Sequence, residues 1–418
     1  MVLQLLPSTP ANSPRVSHCA CAQQHSATSP APPLLLQYRC WGPLLGSSRP
    51  TRHQGGGPCP SQQPTPPQQR LAESLPKARS LSSSFMAGWR HDDGPSAYMF
   101  EMQKRFRDHG KTIEYQQHSA AVLSVAWSCN GARLASGSLD NTAGVFLLED
   151  DGLVKESSYQ GHTDSIDQLC WHPSNPDLFV TASGDRSVRI WDVRQKRCVG
   201  NIRTKGENMN ICWSPDGLTI AVGNRNDVIT FIDARTHRVK AEEHFKYEVN
   251  EISWNNENNL FFLTNGNGFI TILSYPELKP VQSLNAHPSN CICIEFDPTG
   301  TYFATGSADS LVSLWDLNEM VCVRCLSRLD WPVRTLSFSH DGKMIASASE
   351  DHFIDIAEVE TGNKVWDIQC QSPTFTVAWH PKFPLLAFAC DDKGGEPGEC
   401  RETGIVKLFG LPNDSTGN

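Results

Sequence analysis

The chain lacks any apolar run near the ~18 residues that a membrane-spanning helix needs, so no membrane span is expected. Its first residues, Met1–Pro7, carry no basic charge, and Pro7 cuts their apolar run short, so no secretory signal is expected either. Positive charge is scarce over most of the chain. Subtracting the eight Lys/Arg and three Asp/Glu of residues 1–95 from the totals of 36 and 45 leaves 28 and 42 in residues 96–418, a balance of −14. A phosphate backbone needs dense basic charge opposite it, so this body is a poor match for a large nucleic-acid groove, though a local basic patch stays open. Residues 1–95 are mildly basic, at +5. Ordered disulfide spacing is missing as well. The 15 cysteines are odd in number, and many sit inside apolar runs such as Ile211-Cys212-Trp213. Buried thiols behave as small hydrophobes, and the pattern suits a reducing compartment, cytosol or nucleus.

What the chain does have is a change of texture near Ser96. Residues 1–95 hold 15 of the 28 prolines, with many Ser and Gln, in segments such as Pro64-Thr65-Pro66-Pro67. Such segments cannot bury enough apolar surface to offset the entropy of ordering, so a disordered tail is expected over 1–95. Residues 96–110 follow as a short lead-in helix, with Tyr98, Met99, Met102 and Phe106 on one face and Gly110 as the C-cap.

From there the sequence repeats. One aromatic closes an alternating strand seven times, at Trp127, Trp171, Trp213, Trp254, Phe296, Phe338 and Trp379, with gaps of 44, 42, 41, 42, 42 and 41 residues. Most are followed by a turn such as Ser214-Pro215-Asp216-Gly217, where Pro sets φ and Gly supplies a positive one. A small apolar strand comes next, then an Asp-centred turn, a third strand ending in Trp-Asp or its remnant, and a polar fourth strand. Four short strands in this period leave no room for a crossover helix and specify a propeller blade. The fold expected is all-β: a seven-bladed β-propeller over residues 111–411, with 412–418 a flexible end. The seventh unit has only three strands of its own. Thr112–Gln117 is in register with the fourth strand of the other units, so it is expected to complete the last blade and seal the ring.

Gly161-His162 with Trp191-Asp192, and Ala286-His287 with Trp315-Asp316, resemble the WD-repeat signature. The accompanying polar set is His162, Thr181 or Ser183, Asp185 and Trp191 in the second blade, and His287, Thr305 or Ser307, Asp309 and Trp315 in the fifth. His, Asp and a hydroxyl also compose a hydrolase triad. An enzyme needs one nucleophile, however, and here the set repeats with no Gly-x-Ser-x-Gly elbow beside it. It resembles instead the buried hydrogen-bond network of WD repeats, which pins the inner loop to the blade. Blade one keeps His118 and Asp140 but has Phe146 for Trp. Blades three and four turn through Asn226-Asp227 and Asn265-Gly266-Asn267-Gly268. Blade six enters through Leu329-Asp330-Trp331-Pro332.

No catalytic residue, cofactor or metal site is expected. Cys322-Val323-Arg324-Cys325 lacks a second pair, and strand alternation puts its two cysteines on opposite faces. His18-Cys19-Ala20-Cys21 lies in the tail, and Lys393–Cys400 reads as a polar loop insertion. Trp331 stands where most blades put their His. With Asp330, Arg334 and Phe353 it forms the candidate partner face. Arg324, Arg328 and Arg334 with Trp331 form an alternative patch for direct RNA contact by stacking and charge.

Longer runs carry a narrower resemblance. Asp167–Phe179 (DQLCWHPSNPDLF), Thr204–Trp213 (TKGENMNICW) and Phe338-Ser339-His340-Asp341-Gly342-Lys343 are similar to the WD-repeat third subunit of the THO complex, and the similarity covers roughly Gly94 to Ser415. The resemblance implies a nuclear, non-catalytic scaffold subunit that supports mRNA processing, splicing and export. It implies docking on other THO subunits, above all the large helical scaffold subunit, an indirect link to a DEAD-box helicase and an mRNA export adaptor, RNA reached indirectly, and no membrane.

Overall fold

A computed structural model describes residues 96–391 and 404–411. The expected disordered tail over 1–95 with its His18-Cys19-Ala20-Cys21 run, the Lys393–Cys400 insertion and the flexible end over 412–418 lie outside the described residues. The described strands form seven four-stranded antiparallel sheets, so the chain is a seven-bladed β-propeller. Blade 1 runs Val122–Trp127, Arg133–Ser138, Ala143–Glu149 and Gly152–Tyr159 from the centre outward, and the next five blades repeat that order. Successive innermost strands touch around the ring, and Thr374–Trp379 of blade 7 meets Val122–Trp127 of blade 1.

Burial explains the strand chemistry. The second strand of a blade is covered on both faces by its neighbours, so Arg133–Ser138 and Tyr302–Ser307 are buried beyond their first residue. The residues there are small because the next blade is close. A Cβ at Gly137 would stand 2.7 Å from Ile166, and one at Gly306 would stand 2.6 Å from Val333. The cores are therefore interfaces between blades. Ala135, Val145 and Tyr159 of blade 1 pack with Ile166, Trp171, Phe179 and Trp191 of blade 2. No blade owns a complete core, so each depends on the blades stacked beside it to bury its faces.

Blade 7 supplies Thr374–Trp379, Leu386–Cys390 and Ile405–Phe409, and its outer strand is Thr112–Gln116 from the other end of the described chain. The register runs from Thr112 opposite Phe409 to Gln116 opposite Ile405. Across it, Lys407 Nζ lies 3.2 Å from Glu114 Oε1. The amides of Gln117 and His118 then both donate to Gly404 O, at 3.3 and 3.1 Å. Blade 7 also grips blade 1 at the inner turns. Trp127 Nε1 donates to Ala378 O at 3.1 Å, and the His380 ring packs 4.7 Å from the Trp127 ring. His380 Nε2 donates to Gly131 O at 3.0 Å, while its Nδ1 accepts from the amides of Lys382 and Phe383, each at 3.1 Å. Both ring nitrogens are occupied in the neutral form, and burial pushes the His380 pKa down to about 4. Gly131 has φ +78°, and a Cβ there would lie 2.3 Å from His380 Nε2. Backbone conformation and close approach both demand glycine at that position.

The helix Ala97–Asp108 delivers the chain to its closing strand. Ser96 caps it by accepting from Met99 N at 3.0 Å, and its hydroxyl donates to Glu358 of blade 6. Tyr98 Oη donates to Asp341 Oδ2 at 2.9 Å, under the Lys343 ammonium 4.7 Å from its ring centre. Met99, Met102 and Phe106 are buried in the cluster shared by blades 6 and 7. Phe106 lies 5.3 Å from Phe409 and 6.3 Å from both Trp366 and Trp379, by ring centres. The C-cap is His109, with φ −126°, rather than Gly110. Gly110 serves close approach instead: a Cβ there would meet Phe106 O at 2.3 Å.

A truncation series separates these contributions by thermal melting. Removing residues 1–95 leaves the midpoint unchanged. Removing 1–110 lowers it, because burial of Met99, Met102 and Phe106 contributes roughly 1.5–3 kcal/mol each before ordering costs. Removing 1–118 abolishes the cooperative transition. A chain lacking 1–118 that melts like the full protein would overturn this account of closure.

Candidate functional site

The recurring polar set assembles in two blades in the same way. His162 Nδ1 is 2.9 Å from Asp185 Oδ2, His162 Nε2 is 2.7 Å from Thr181 Oγ1, and Trp191 Nε1 donates to that same Oγ1 at 2.9 Å. In blade 5 the distances are 3.0 Å for His287 to Asp309, 2.9 Å for His287 to Thr305, and 3.1 Å for Trp315 to Thr305. Of the two hydroxyls open from sequence in each blade, the threonine joins the network. Ser183 instead donates to Asp164 O at 3.1 Å and accepts from Asp185 N at 3.1 Å.

Donor chemistry orders the chain. An indole N–H can only donate, so Thr181 Oγ1 accepts from Trp191 and turns its own proton to His162 Nε2. His162 Nδ1–H then donates to Asp185. Burial lowers the pKa of His162 and of His287, which keeps both neutral. Asp185 is pushed upward by burial, but hydrogen bonds from Ser187 and His162 outweigh it and leave its pKa lowered. The connectivity matches a hydroxyl–His–carboxylate triad. Thr181 is 0% exposed, however, and its lone pair is taken by an indole, so no acyl group can reach it in the folded blade. Asp185 has a second task, accepting Thr163 N at 3.1 Å and Ser187 N at 2.9 Å, which locks two loops to each other. Blade 1 keeps the same lock through Asp140, with His118 Nε2 2.7 Å from Ser136 Oγ and no indole at the end.

Blades 3 and 4 use asparagine instead, which the sequence reading did not pick out. Asn224 Oδ1 accepts the amides of Asn226 and Val228, at 2.9 and 3.2 Å, and Asn265 Oδ1 accepts those of Asn267 and Phe269, each at 3.0 Å. A second ladder crosses between blades: Asn210 donates to Asn250 O, and Asn250 Nδ2 donates to Cys291 O at 2.7 Å. The signal in sequence is an asparagine recurring at 210, 250 and 290, at or near the start of the innermost strands.

Blade 6 corrects one expectation. Leu329 stands nine residues before Phe338, as His162 does before Trp171 and His287 before Phe296, so Leu329 occupies the His position and Trp331 lies two residues beyond it. Leu329 is 5% exposed and Trp331 is 55% exposed. Asp351 Oδ2 accepts the amides of Asp330 and Trp331 at 3.0 and 3.2 Å, which presents the indole from a braced loop. Next to Asp351, Glu350 accepts from Arg334 Nη2, and Phe353 starts the third strand half-buried. The four candidate partner-face residues are thus gathered at one end of blade 6. The arginines of the alternative patch are engaged separately. Arg328 makes a two-pronged pair with Asp355, at 2.8 and 2.7 Å. Arg324 Nη2 donates to Glu360 O at 2.6 Å, and Arg334 lies 5.4 Å from the Phe375 ring centre.

A second correction concerns the outer strands. In blades 1 to 6 the third and fourth strands slip register by one residue, in blade 5 between Leu314 and Trp315. Cys322 pairs with Trp315 and Cys325 with Ser313, so the two cysteines share a face, with Sγ atoms 3.7 Å apart. Strand alternation fails there because a bulge inserts one residue.

A cavity of ≈ 510 Å³ runs along the innermost strands, lined by residues that include Asp167, Gln168, Glu251, Glu295 and Arg334. Gln168 Nε2 donates to Glu251 Oε2 at 3.3 Å, and its Oε1 accepts Ile211 N. Burial pushes Glu251 up to about 7; burial and then the charge of Glu251 push Glu295 up to about 8. Among the described residues, no group of three or more His, Cys, Asp or Glu could hold a metal ion.

Two substitutions test these sites. Thr181→Val keeps the shape but strands the His162 and Trp191 nitrogens, and should cost roughly 2–5 kcal/mol in chemical denaturation; a cost near zero would refute the network. Glu295→Gln should raise the melting midpoint at pH 9 and leave it unchanged at pH 4. The stability tied to a raised carboxyl pKa is whole below the unfolded value of 4.5 and is lost as pH rises through about 8. Equal midpoints at pH 9 would show that Glu295 ionises freely.

Comparison with known proteins gives one family. Residues 118–389 match the model of the THOC3 beta-propeller domain. THO complex subunit 3 of Arabidopsis thaliana is 52% identical over 300 residues, covering 71% of this chain and 95% of that protein. WD repeat-containing protein AAC3 of Dictyostelium discoideum is 33% identical over 337 residues, 74% of this chain and 69% of that one. Protein TEX1 of Saccharomyces cerevisiae is 20% identical over 278 residues, 62% and 66% of the two chains.

Proposed function

The chain belongs to the THOC3 beta-propeller family, and on that premise we propose that it is a non-catalytic scaffold subunit of a THO complex, supporting mRNA processing, splicing and export in the nucleus. The observation that carries this reading is the 52% identity spanning 95% of a plant protein named as THO complex subunit 3. That similarity spans nearly the whole length of the plant protein. A propeller of mutually packed blades suits the role physically. It holds loops at fixed positions, so a partner that meets them pays little ordering entropy. In this reading the chain docks on the other THO subunits, chiefly the large helical scaffold subunit. It reaches a DEAD-box helicase and an export adaptor through them. RNA is met indirectly, because Arg328 and Arg334 already answer Asp355 and Glu350.

Within the propeller, the end of blade 6 is the proposed docking face. Trp331 is a large exposed aromatic on a braced loop, flanked by Asp330, Arg334 and Phe353, and anchors of that kind carry a disproportionate share of interface energy. Co-expression of the full chain with the other THO subunits tests both levels. The wild-type chain should co-purify with the large helical subunit, and Trp331→Ala should weaken that capture at least tenfold, at an unchanged melting midpoint. Capture unaffected by Trp331→Ala and Asp330→Lys would move the face elsewhere. Failure of the wild-type chain to join the assembly, with tight and steeply salt-dependent binding to bare RNA, would replace docking by direct RNA recognition.

A further inference from the structure

The outer strand of blade 5, Val321–Leu326, carries two exposed cysteines that the bulge opposite Leu314 and Trp315 brings onto one face. Blade 6 shows that this slip makes neighbours of residues three apart. There Lys364 pairs with Ala357 and Asp367 with Asp355, and Lys364 Nζ lies 3.0 Å from Asp367 Oδ1. Blade 5 places a thiol at each of the same two register positions. The sulfurs are 3.7 Å apart, and Ser313 Oγ lies 3.6 Å from Cys325 Sγ.

We infer that Cys322 and Cys325 form a two-thiolate site for a thiophilic divalent cation of the zinc and cadmium class. With Zn–S bonds of about 2.3 Å, two ligands of a tetrahedral ion stand about 3.8 Å apart, so the pair meets that bite without moving. A disulfide would require closure to about 2.05 Å, against the ladder pairing that holds both residues in the strand. Both cysteines are exposed, so the ion's other two positions are open to water or to a donor from a bound protein. Partial burial of the sulfur and the neighbouring Cys325 thiol push Cys322 up to about 11. The free Cys322 thiol therefore stays protonated near neutrality, and uptake of the ion at this sulfur releases its proton and strengthens as pH rises.

The test is titration of the reduced full chain with cadmium, followed by the thiolate-to-metal absorption band, for wild type, Cys322→Ser and Cys325→Ser. Each variant should lose one tight equivalent, with affinity for it reduced at least tenfold, and melt as the wild type does. Cys198→Ser changes a cysteine at the same register position of blade 2, opposite Trp191, with no thiol three residues on. It should bind as the wild type does. Zinc should also protect Cys322 and Cys325 from alkylation, read by peptide mass spectrometry. Unchanged stoichiometry in Cys322→Ser, or equal alkylation with and without zinc, would overturn the site.

Discussion

Pairing of Thr112–Gln116 with Ile405–Phe409 is the constraint on which the rest of the ring depends. Each blade buries its faces only against its neighbours, so an open gap would expose two half-cores at once. The closing contact joins residues almost 300 positions apart, and the entropy of bringing them together is recovered only when all seven blades are in place. This explains the reinforcement around the seam. The Glu114–Lys407 pair, the His380–Gly131 bond, the Trp127–Ala378 bond and the Phe106 cluster all act at or beside the junction of blade 7 with its neighbours. The lead-in helix belongs to the same logic. By burying Met99, Met102 and Phe106 across blades 6 and 7, it anchors the chain at the start of the closing strand.

Inside that closed frame, the blades solve one recurring problem with different side chains. The inner loop and the turn after the second strand must be tied together. Asp140 and Asp185 do this by accepting one inner-loop amide each, with His118 and His162 as buried struts, whereas in blade 5 Pro288 has no amide to give and Asp309 makes the tie through the His287 ring. Asn224 and Asn265 cap the turn in blades 3 and 4 without a charge. Asp351 ties the loop in blade 6 through backbone alone, with Leu329 filling the space a histidine would take. Losing the histidine there removes the strut but not the tie, and the loop is free to carry Trp331 outward.

These differences decide what could be read from the sequence. Blade count and the His–Asp–Trp set were legible because each rests on residue types with narrow chemistry at a fixed spacing. An indole N–H and an imidazole between a hydroxyl and a carboxylate leave few arrangements. The choice of Thr181 over Ser183 was not legible, since either hydroxyl has the right donors and only strand direction decides. The asparagine ties were hidden because Asn224 and Asn265 look like ordinary turn residues. Trp331 was misplaced by two residues because the loop was judged by its aromatic rather than by its distance to Phe338. The shared face of Cys322 and Cys325 was invisible for a different reason. A bulge is a property of hydrogen-bond register, and alternation along the strand gives no sign that Val323 is inserted without a partner.

The charge pattern follows from the same geometry. Burial raises the carboxyl pKa of both Glu251 and Glu295 in the central cavity, and the charge of Glu251 adds to the rise at Glu295, so both hold their protons to near neutral pH. Gln168, which bridges Glu251 to the Ile211 amide, links blades 2, 3 and 4 with a neutral side chain. An acidic exterior on a closed frame discourages contact with phosphate backbones. The places where local rules are broken, the Leu329–Trp331 loop and the thiol pair on the outer strand of blade 5, lie on blades whose neighbours already fix the backbone. A closed ring can carry such departures because the blades on either side hold the strands in register.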